Sequence, residues 1–408
     1  VVVAKQHRVR TQDLRQHRFL RRQQAIAIEG LQMPLNPAKK PDRHRRSPAL
    51  AEPKTCRTLF QNGGMAHIEL RSDNTAGVAP EILAAVVAAN TGSAIAYGAD
   101  ALTAQLQETV RAVFEHPGAR VFPVTSGTAA NALALSAMCP PWGAVLCHET
   151  AHILNSEAAA TSMMGGGLLL RGVGGDDHRM QPATLADAFA ATRWGDNHHS
   201  QPRVISFTQP TDMGTIYRVD EVGALTSAAR ERGLRAHLDG ARIANAIVAL
   251  GCRPADLTWR AGIDVVSLGA TKNGALSAEA IVSFDDTVSD ELVYRTKRAG
   301  HVSSKMRFQS AQLLAYLRDD LWLRLAAHSN ARMRQLSDGL RALGVGFLNR
   351  PDVNMLFAQV GDDTATALER SGLLFYRIRP GVIRLVTSWQ TTEDEVDRTL
   401  AAFAHALR

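Results

Sequence analysis

Cysteine is scarce in this chain. The four in 408 residues, Cys56, Cys139, Cys147 and Cys252, form no CxxC pair and stand at no metal-ligand spacing with histidine. Their placement argues against a disulfide framework and against a zinc site, so no metal is expected and a reducing cytoplasm is the simplest setting. Long hydrophobic runs are missing too. The longest, 82–89 and 278–284, stop well short of the roughly 18 residues that a membrane-spanning helix needs. No membrane partner is expected, and no repeat period is visible that would point to a solenoid. With 45% hydrophobic residues the chain can bury a large core, and its length suits two domains.

A net charge of +7 suggests nucleic-acid binding until the charges are located. Residues 1–64 hold 14 Lys and Arg against 4 Asp and Glu, out of 46 and 39 in the whole chain. The remainder is therefore mildly acidic. The segment 1–64 is interrupted by five prolines and has little apolar periodicity, so we expect a disordered basic extension. Three readings of it stand: a nucleic-acid-binding arm, a targeting peptide, or non-native sequence preceding a true start at Met65. The last is preferred, because ordered-looking sequence begins directly after Met65. The arm carries no helix-turn-helix pattern and no interleaved aromatics, so no nucleic-acid partner is expected.

From residue 65 onward, short apolar runs alternate with helix-length segments. The strand candidates are 120–124, 144–147, 168–171, 203–208, 235–238, 264–268 and 280–284. Helices are expected at 81–89, with Pro80 at its first position, and at 128–138, 220–232 and 242–250. Such alternation predicts an α/β domain over 65–310, with a mostly parallel seven-stranded sheet covered on both faces. The run 308–343 reads as one long helix, and a smaller α/β domain is expected within 311–408, closing with a helix at 393–407.

Ligands of open α/β sheets bind beyond the carboxyl ends of the strands. Three strand candidates end in notable groups. After 120–124 comes Thr125-Ser126-Gly127-Thr128 at a helix start, which is either an anion cup or an ordinary N-cap. After 235–238 comes Asp239, whose burial calls for a cation: the protonated ring nitrogen of a pyridine cofactor, or simply Arg242. After 264–268 comes Lys272 among small residues, able to form a Schiff base with a bulky cofactor or else a plain surface-loop lysine.

Taken in order, cup, aspartate and lysine resemble the aspartate-aminotransferase-like class, fold type I of the pyridoxal-phosphate enzymes. Within it the chain resembles low-specificity L-threonine aldolases of the β-eliminating lyase superfamily, from about residue 68 to the C-terminus. The segments carrying that resemblance are Leu70-Arg71-Ser72-Asp73-Asn74-Thr75, Tyr97-Gly98-Ala99-Asp100, Ser126-Gly127-Thr128-Ala129-Ala130-Asn131, His152 with Glu157, His237-Leu238-Asp239-Gly240-Ala241-Arg242 and Arg384-Leu385-Val386-Thr387.

The resemblance implies that pyridoxal 5'-phosphate is held by Lys272, with its phosphate on Ser126, Gly127 and Thr128, its ring nitrogen on Asp239 and His152 against its face. It implies that Ser72, Arg242 and Arg384 surround the substrate carboxylate or the cofactor's phenolic oxygen. It also implies a homotetramer built from dimers, in which Tyr97, Lys305 and Arg307 reach a neighbouring subunit's site. The implied activity is reversible cleavage of L-threonine and other β-hydroxy-α-amino acids to glycine and an aldehyde, with L-phenylserine a candidate substrate. Two departures stand out. Gln209-Pro210-Thr211-Asp212 replaces a Glu-Asn-Thr-His form, leaving His152, Asp212 or a water as the base, and Asp212 could equally be a turn residue. Ala270-Thr271-Lys272-Asn273-Gly274 replaces a Ser-Lys-Gly form. Rival readings are another pyridoxal-phosphate lyase or aminotransferase, or a regulator joining this domain to a nucleic-acid-binding arm.

Overall fold

The computed structural model describes residues 67–408, so the expectations for 1–64 and for Met65 lie outside the described residues. Strand β1 (Ile68–Glu69) comes first, followed by β2 (Arg120–Val124), β3 (Gly143–His148), β4 (Leu169–Val173), β5 (Gln201–Thr208), β6 (Arg235–Gly240), β7 (Val265–Leu268) and β8 (Glu279–Ser283). Strands β2 to β8 form one sheet in the order β2-β8-β7-β6-β5-β3-β4. Neighbours are parallel except around β8, which runs antiparallel to β2 and β7. All seven expected strands are present, with ends moved by no more than two residues.

Successive strand residues point to opposite faces, and both faces are covered. Leu146, Phe207, Leu238 and Val266 enter one apolar core; Val145, Cys147, Val204 and Val265 enter the other. Burial on both sides is why these strands read as continuous apolar runs instead of alternating ones. The helix Gly127–Met138 lies over the second face and is buried along most of its length, so it shows no polar stripe.

One expected helix is two. The run 308–343 forms Arg307–Leu317 and Leu321–Ala342, separated by Asp319 and Asp320 at φ of 51° and 54°. Left-handed backbone ends a helix, and aspartate is among the few non-glycine residues that adopt it readily. No glycine or proline marks the break.

The C-terminal part carries β9 (Gly346–Phe347), β10 (Met355–Gln359), β11 (Leu373–Leu374), β12 (Tyr376–Arg379) and β13 (Val382–Val386). Four of these make an antiparallel sheet in the order β12-β13-β10-β9. Its own core includes Leu356, Leu385, Met333, Leu368 and Phe403, joined by Ile68 and Leu70. Those last two belong there because β1 pairs in parallel with β11, and the Val386 N–H donates to the Leu70 carbonyl at 2.9 Å. The Ser72–Asp73 turn is thereby carried to the site.

Candidate active site

Asp239 lies at the carboxyl end of β6 and is 3% exposed. Its Oδ1 accepts from the Ala241 N–H at 3.1 Å and its Oδ2 from Asn131 Nδ2 at 3.0 Å. Among the described residues no cationic side chain pairs with it. Arg242, the alternative partner read from the sequence, turns away to Asp73. Below Asp239 on the same face of the sheet, His237 is fully buried, with Nδ1 2.9 Å from Ser206 Oγ and Nε2 3.0 Å from Ser267 Oγ. Burial pushes its pKa down to about 4, so it is neutral at neutral pH and braces the strand end without adding charge.

Lys272 sits on a short turn, Thr271–Asn273, following β7. Two strand-end loops meet here at unusually short range. A Cβ on Gly269 would fall 2.2 Å from the Ala241 carbonyl oxygen, so only glycine lets the lysine loop approach the aspartate loop. Asn273 fixes the turn by donating to the Tyr316 hydroxyl at 3.0 Å and the Trp322 carbonyl at 2.8 Å. Ser126 caps the helix Gly127–Met138, accepting from the Ala129 N–H at 3.2 Å. The capping reading thus holds, and it leaves the cup available: a Cβ built on Gly127 meets no atom within 4 Å.

A second cluster gathers residues far apart in sequence. Arg242 grips Asp73 with Nε at 2.6 Å and Nη2 at 2.8 Å, and Asn354 Nδ2 donates to the same carboxylate at 3.1 Å. Burial opposes both charges. The guanidinium nonetheless holds Asp73 below the usual carboxylate range, helped by Lys272, and Asp73 raises Arg242. Ser72 Oγ accepts from the Asn74 N–H at 3.2 Å, shaping the turn that presents Asp73. Arg384, on β13, donates from Nη2 to the Arg71 carbonyl at 3.1 Å and lies 5.0 Å from the Tyr376 ring centre. Its Nε is buried without a partner, and burial and then the nearby Arg242 charge lower its pKa. Arg384 therefore offers a buried cationic edge to an incoming anion.

Asp73→Asn tests how this cluster is held. Removing one partner of a buried pair costs roughly 3–5 kcal/mol, because the remaining charge is left uncompensated. The variant is expected to unfold several degrees below the parent in a thermal scan at neutral pH; an unchanged midpoint would mean the pair contributes little.

His152 is half-exposed at the start of the short helix His152–Asn155, with Nδ1 2.9 Å from the buried Oε1 of Glu157. That oxygen also accepts from Asn131 Nδ2 at 2.9 Å, so one amide group joins Glu157 to Asp239. The Glu157 hydrogen bond, supported by the Asp212 and Asp239 charges, raises the His152 pKa against burial. Asp212 belongs to a loop clasped by Gln209, which donates to the Tyr217 carbonyl at 2.8 Å and accepts from its N–H at 3.0 Å. Its Oδ2 is enclosed without a partner, and burial, then the Asp239 charge, push its pKa up to about 6.

The chain thus brings together Lys272, Asp239, His152, Asp212, Arg242, Arg384 and Ser72. It does not bring in Tyr97, Lys305 or Arg307. Tyr97 is 58% exposed with Lys297 Nζ 4.4 Å from its ring centre. Lys305 and Arg307 line a separate cavity of about 210 Å³ beside Gly92 and Ile95. Sequence reasoning gave no role to Asp73, Asn131 or Glu157, though all three stand inside the quoted segments, and it passed over Glu279 entirely.

The chain is similar to known proteins over most of its length. A family model described as beta-eliminating lyase matches residues 69–363. The low specificity L-threonine aldolase of Pseudomonas sp. (strain NCIMB 10558) is 40% identical over 83% of this chain and 97% of its own length. That of Pseudomonas aeruginosa is 39% identical over 80% and 94%. A solved threonine aldolase from Leishmania major superposes with a TM-score of 0.79 at 26% identity, covering 83% of this chain and 99% of that one. The aspartate aminotransferase of Thermus thermophilus, at 16% identity and a TM-score of 0.60 over 83% and 91%, has the same fold.

Proposed function

Because this chain belongs to the beta-eliminating lyase family, we propose that it cleaves L-threonine and other β-hydroxy-α-amino acids reversibly to glycine and an aldehyde, using pyridoxal 5'-phosphate. The observation that carries this reading is the buried Asp239 carboxylate, which pairs with no cationic side chain among the described residues and ends a strand whose loop closely approaches the loop bearing Lys272. Such a carboxylate is costly to bury unless a positive group meets it, and a protonated pyridine nitrogen is that group. The site fits the cofactor in a second respect, the open space at Gly127 in the anion cup. Ser126, Gly127 and Thr128 would take its phosphate, Lys272 its aldehyde carbon, Asp239 its ring nitrogen and His152 its face. When bound, the cofactor supplies an electron sink for the pair released at Cα.

The chain's own side chains do the rest. Arg384 would bind the substrate carboxylate through its planar fork and so orient the substituents at Cα. Arg242, fixed by Asp73, adds positive charge on the same side, and Ser72 lies beside it. His152 or Asp212 receives the β-hydroxyl proton, which expels the aldehyde. Asp212 suits a base at neutral pH, because a carboxyl titrating at about 6 is mostly ionised there yet basic enough to hold a proton.

Asp212→Asn tests that role through pH. With Asp212 as the base, kcat/KM falls as pH drops through about 6. The asparagine variant is expected to lose that limb together with roughly 100-fold or more of the rate. Stability moves the opposite way. The folded pKa lies above the unfolded one, so the native state holds the extra proton between the ordinary 3.8 and about 6, and stability declines as pH rises through that window. At pH 7.5 the variant should therefore melt above the parent. A rate loss with an unchanged pH profile would remove Asp212 from the proton transfer and leave His152.

The reading extends to assembly and setting. A homotetramer in which Tyr97, Lys305 and Arg307 complete a neighbour's site is supported by the exposed Tyr97 and Tyr294, which line a groove of about 530 Å³. Light scattering should give four chains per particle. A cytoplasmic setting is supported by the free thiols of Cys139, Cys147 and Cys252. No helix among the described residues is long and apolar enough to cross a membrane. The separate apolar core of the C-terminal sheet supports a smaller second unit, but the expected division into 65–310 and 311–408 does not follow the cores: Ile68 and Leu70 join the C-terminal one, and Leu313, Tyr316 and Trp322 pack with the large sheet. The direct test is to strip the protein of cofactor and follow aldehyde release from L-threonine and L-phenylserine. Release should depend on added pyridoxal 5'-phosphate; release without it, or none with it, would refute the proposal.

A further inference from the structure

Glu279 is the first residue of β8 and is 6% exposed. Because β8 runs antiparallel between β2 and β7, its start lies beside the ends of both neighbours: Glu279 pairs with Val124, and Ala280 with Leu268. The carboxylate is thus set between the turn that forms the anion cup and the loop that carries Lys272. Its Oε2 accepts from the Ala270 N–H at 2.7 Å and its Oε1 from the Thr271 N–H at 3.3 Å. These are the two residues immediately before Lys272.

A buried carboxylate beside an anion cup is an unfavourable choice unless its charge is used. Burial raises the Glu279 pKa, and the largest opposing influence is the charge of Lys272. The chemistry of the acceptor matters as well. A carboxylate offers two oxygens to two converging N–H groups, whereas an amide of the same shape offers one oxygen and turns a donor toward the other N–H. The other side-chain anchors on this loop, Asn273 to Tyr316 and Trp322, and Tyr316 to the Gly269 carbonyl at 3.0 Å, are neutral.

We infer that Glu279 is the positioning residue for Lys272: it fixes the loop through two backbone N–H groups and supplies a counter-charge for the lysine ammonium when that amine is free. This rests on the reading that Lys272 carries the cofactor. Glu279 touches no reacting atom. Its effect acts through the loop, on how fast and how tightly the lysine captures the cofactor.

The test uses the full chain carrying Glu279→Gln, with Glu279→Asp as a second variant should the amide impair folding. Pyridoxal 5'-phosphate is added to cofactor-free protein, and its capture is followed by absorbance, by borohydride trapping on the 269–275 peptide and by amide exchange at Ala270 and Thr271. The expected result is capture at least 10-fold slower in the glutamine variant, faster exchange at both amides and an unchanged circular dichroism spectrum. The aspartate variant, shorter by one methylene but still charged, should recover part of the rate. A glutamine variant that captures the cofactor at the parental rate, even one that melts earlier, would overturn the inference by reducing Glu279 to a structural residue. Failure of the parent itself to trap cofactor on Lys272 would instead overturn the reading on which it rests, and the two failures are distinguishable in one experiment.

Discussion

Lys272→Ala is expected to abolish turnover, by on the order of 10⁴-fold or more, the scale seen when a covalent catalytic group is removed. The physical reason is that, among the described residues, no other amine stands where Lys272 does, between the Asp239 loop and the anion cup, with Gly269 permitting the close approach. Folding should be little affected. Lys272 is only half-buried, and its turn is held by Asn273, Tyr316 and the Glu279 bonds to the Ala270 and Thr271 N–H groups, so the cost is limited to the counter-charge lost beside Glu279. The variant should retain the parental circular dichroism and melt within a few degrees of the parent. It should also bind pyridoxal 5'-phosphate reversibly and lose the borohydride-stable label on peptide 269–275. A small added amine should restore a little activity by supplying the missing nitrogen. A variant that keeps even a tenth of parental activity would remove Lys272 from the chemistry.

Asp239→Asn is expected to lower kcat by roughly 10³-fold, about 4 kcal/mol of transition-state stabilisation, with little change in the KM for L-threonine. A neutral amide cannot hold a pyridine nitrogen protonated, so the electron sink weakens while the carboxylate clamp at Arg384 stays intact. The hydrogen bonds add a geometric cost. Asp239 accepts from both Asn131 and the Ala241 N–H, and an asparagine has only one oxygen for the two donors. The substitution should also reach Asp212. The Asp239 charge helps push that carboxyl up to about 6, so the acid limb of kcat/KM should move to lower pH in the variant. An equal loss in kcat and gain in KM would mean that Asp239 chiefly shapes the pocket.

How much of this was legible in the sequence depended on where each interaction is encoded. The seven strands of the large sheet were readable because burial on both faces writes itself as short apolar runs, and the three strand-end motifs followed from that placement. The break at Asp319 and Asp320 was not readable, because it is made by left-handed aspartates within an otherwise continuous helical pattern. Partners were the least legible part. Arg242 feels several carboxylates, and only the tertiary arrangement assigns it to Asp73, 169 residues away, so that among the described residues no cationic side chain pairs with Asp239. Asn131 looks like one more polar residue in a small-residue helix until it is seen to join Glu157 and Asp239. Glu279 stands at the head of an apolar strand, and nothing along the chain shows that its oxygens meet the N–H groups beside Lys272. Arg384 stands inside an apolar strand, and nothing along the chain shows that its Nε is buried without a partner.

Which bond of the substrate breaks decides between the aldolase and its rivals. The measurement is complete product accounting by carbon NMR, with L-threonine labelled at every carbon, the enzyme saturated with pyridoxal 5'-phosphate, and ammonia assayed in parallel. The account predicts glycine and acetaldehyde in equal amounts, with no ammonia above the rate of the Lys272→Ala variant. Ammonia and a four-carbon keto acid in place of glycine would contradict it, and would make the enzyme a lyase of the same fold that breaks a different bond.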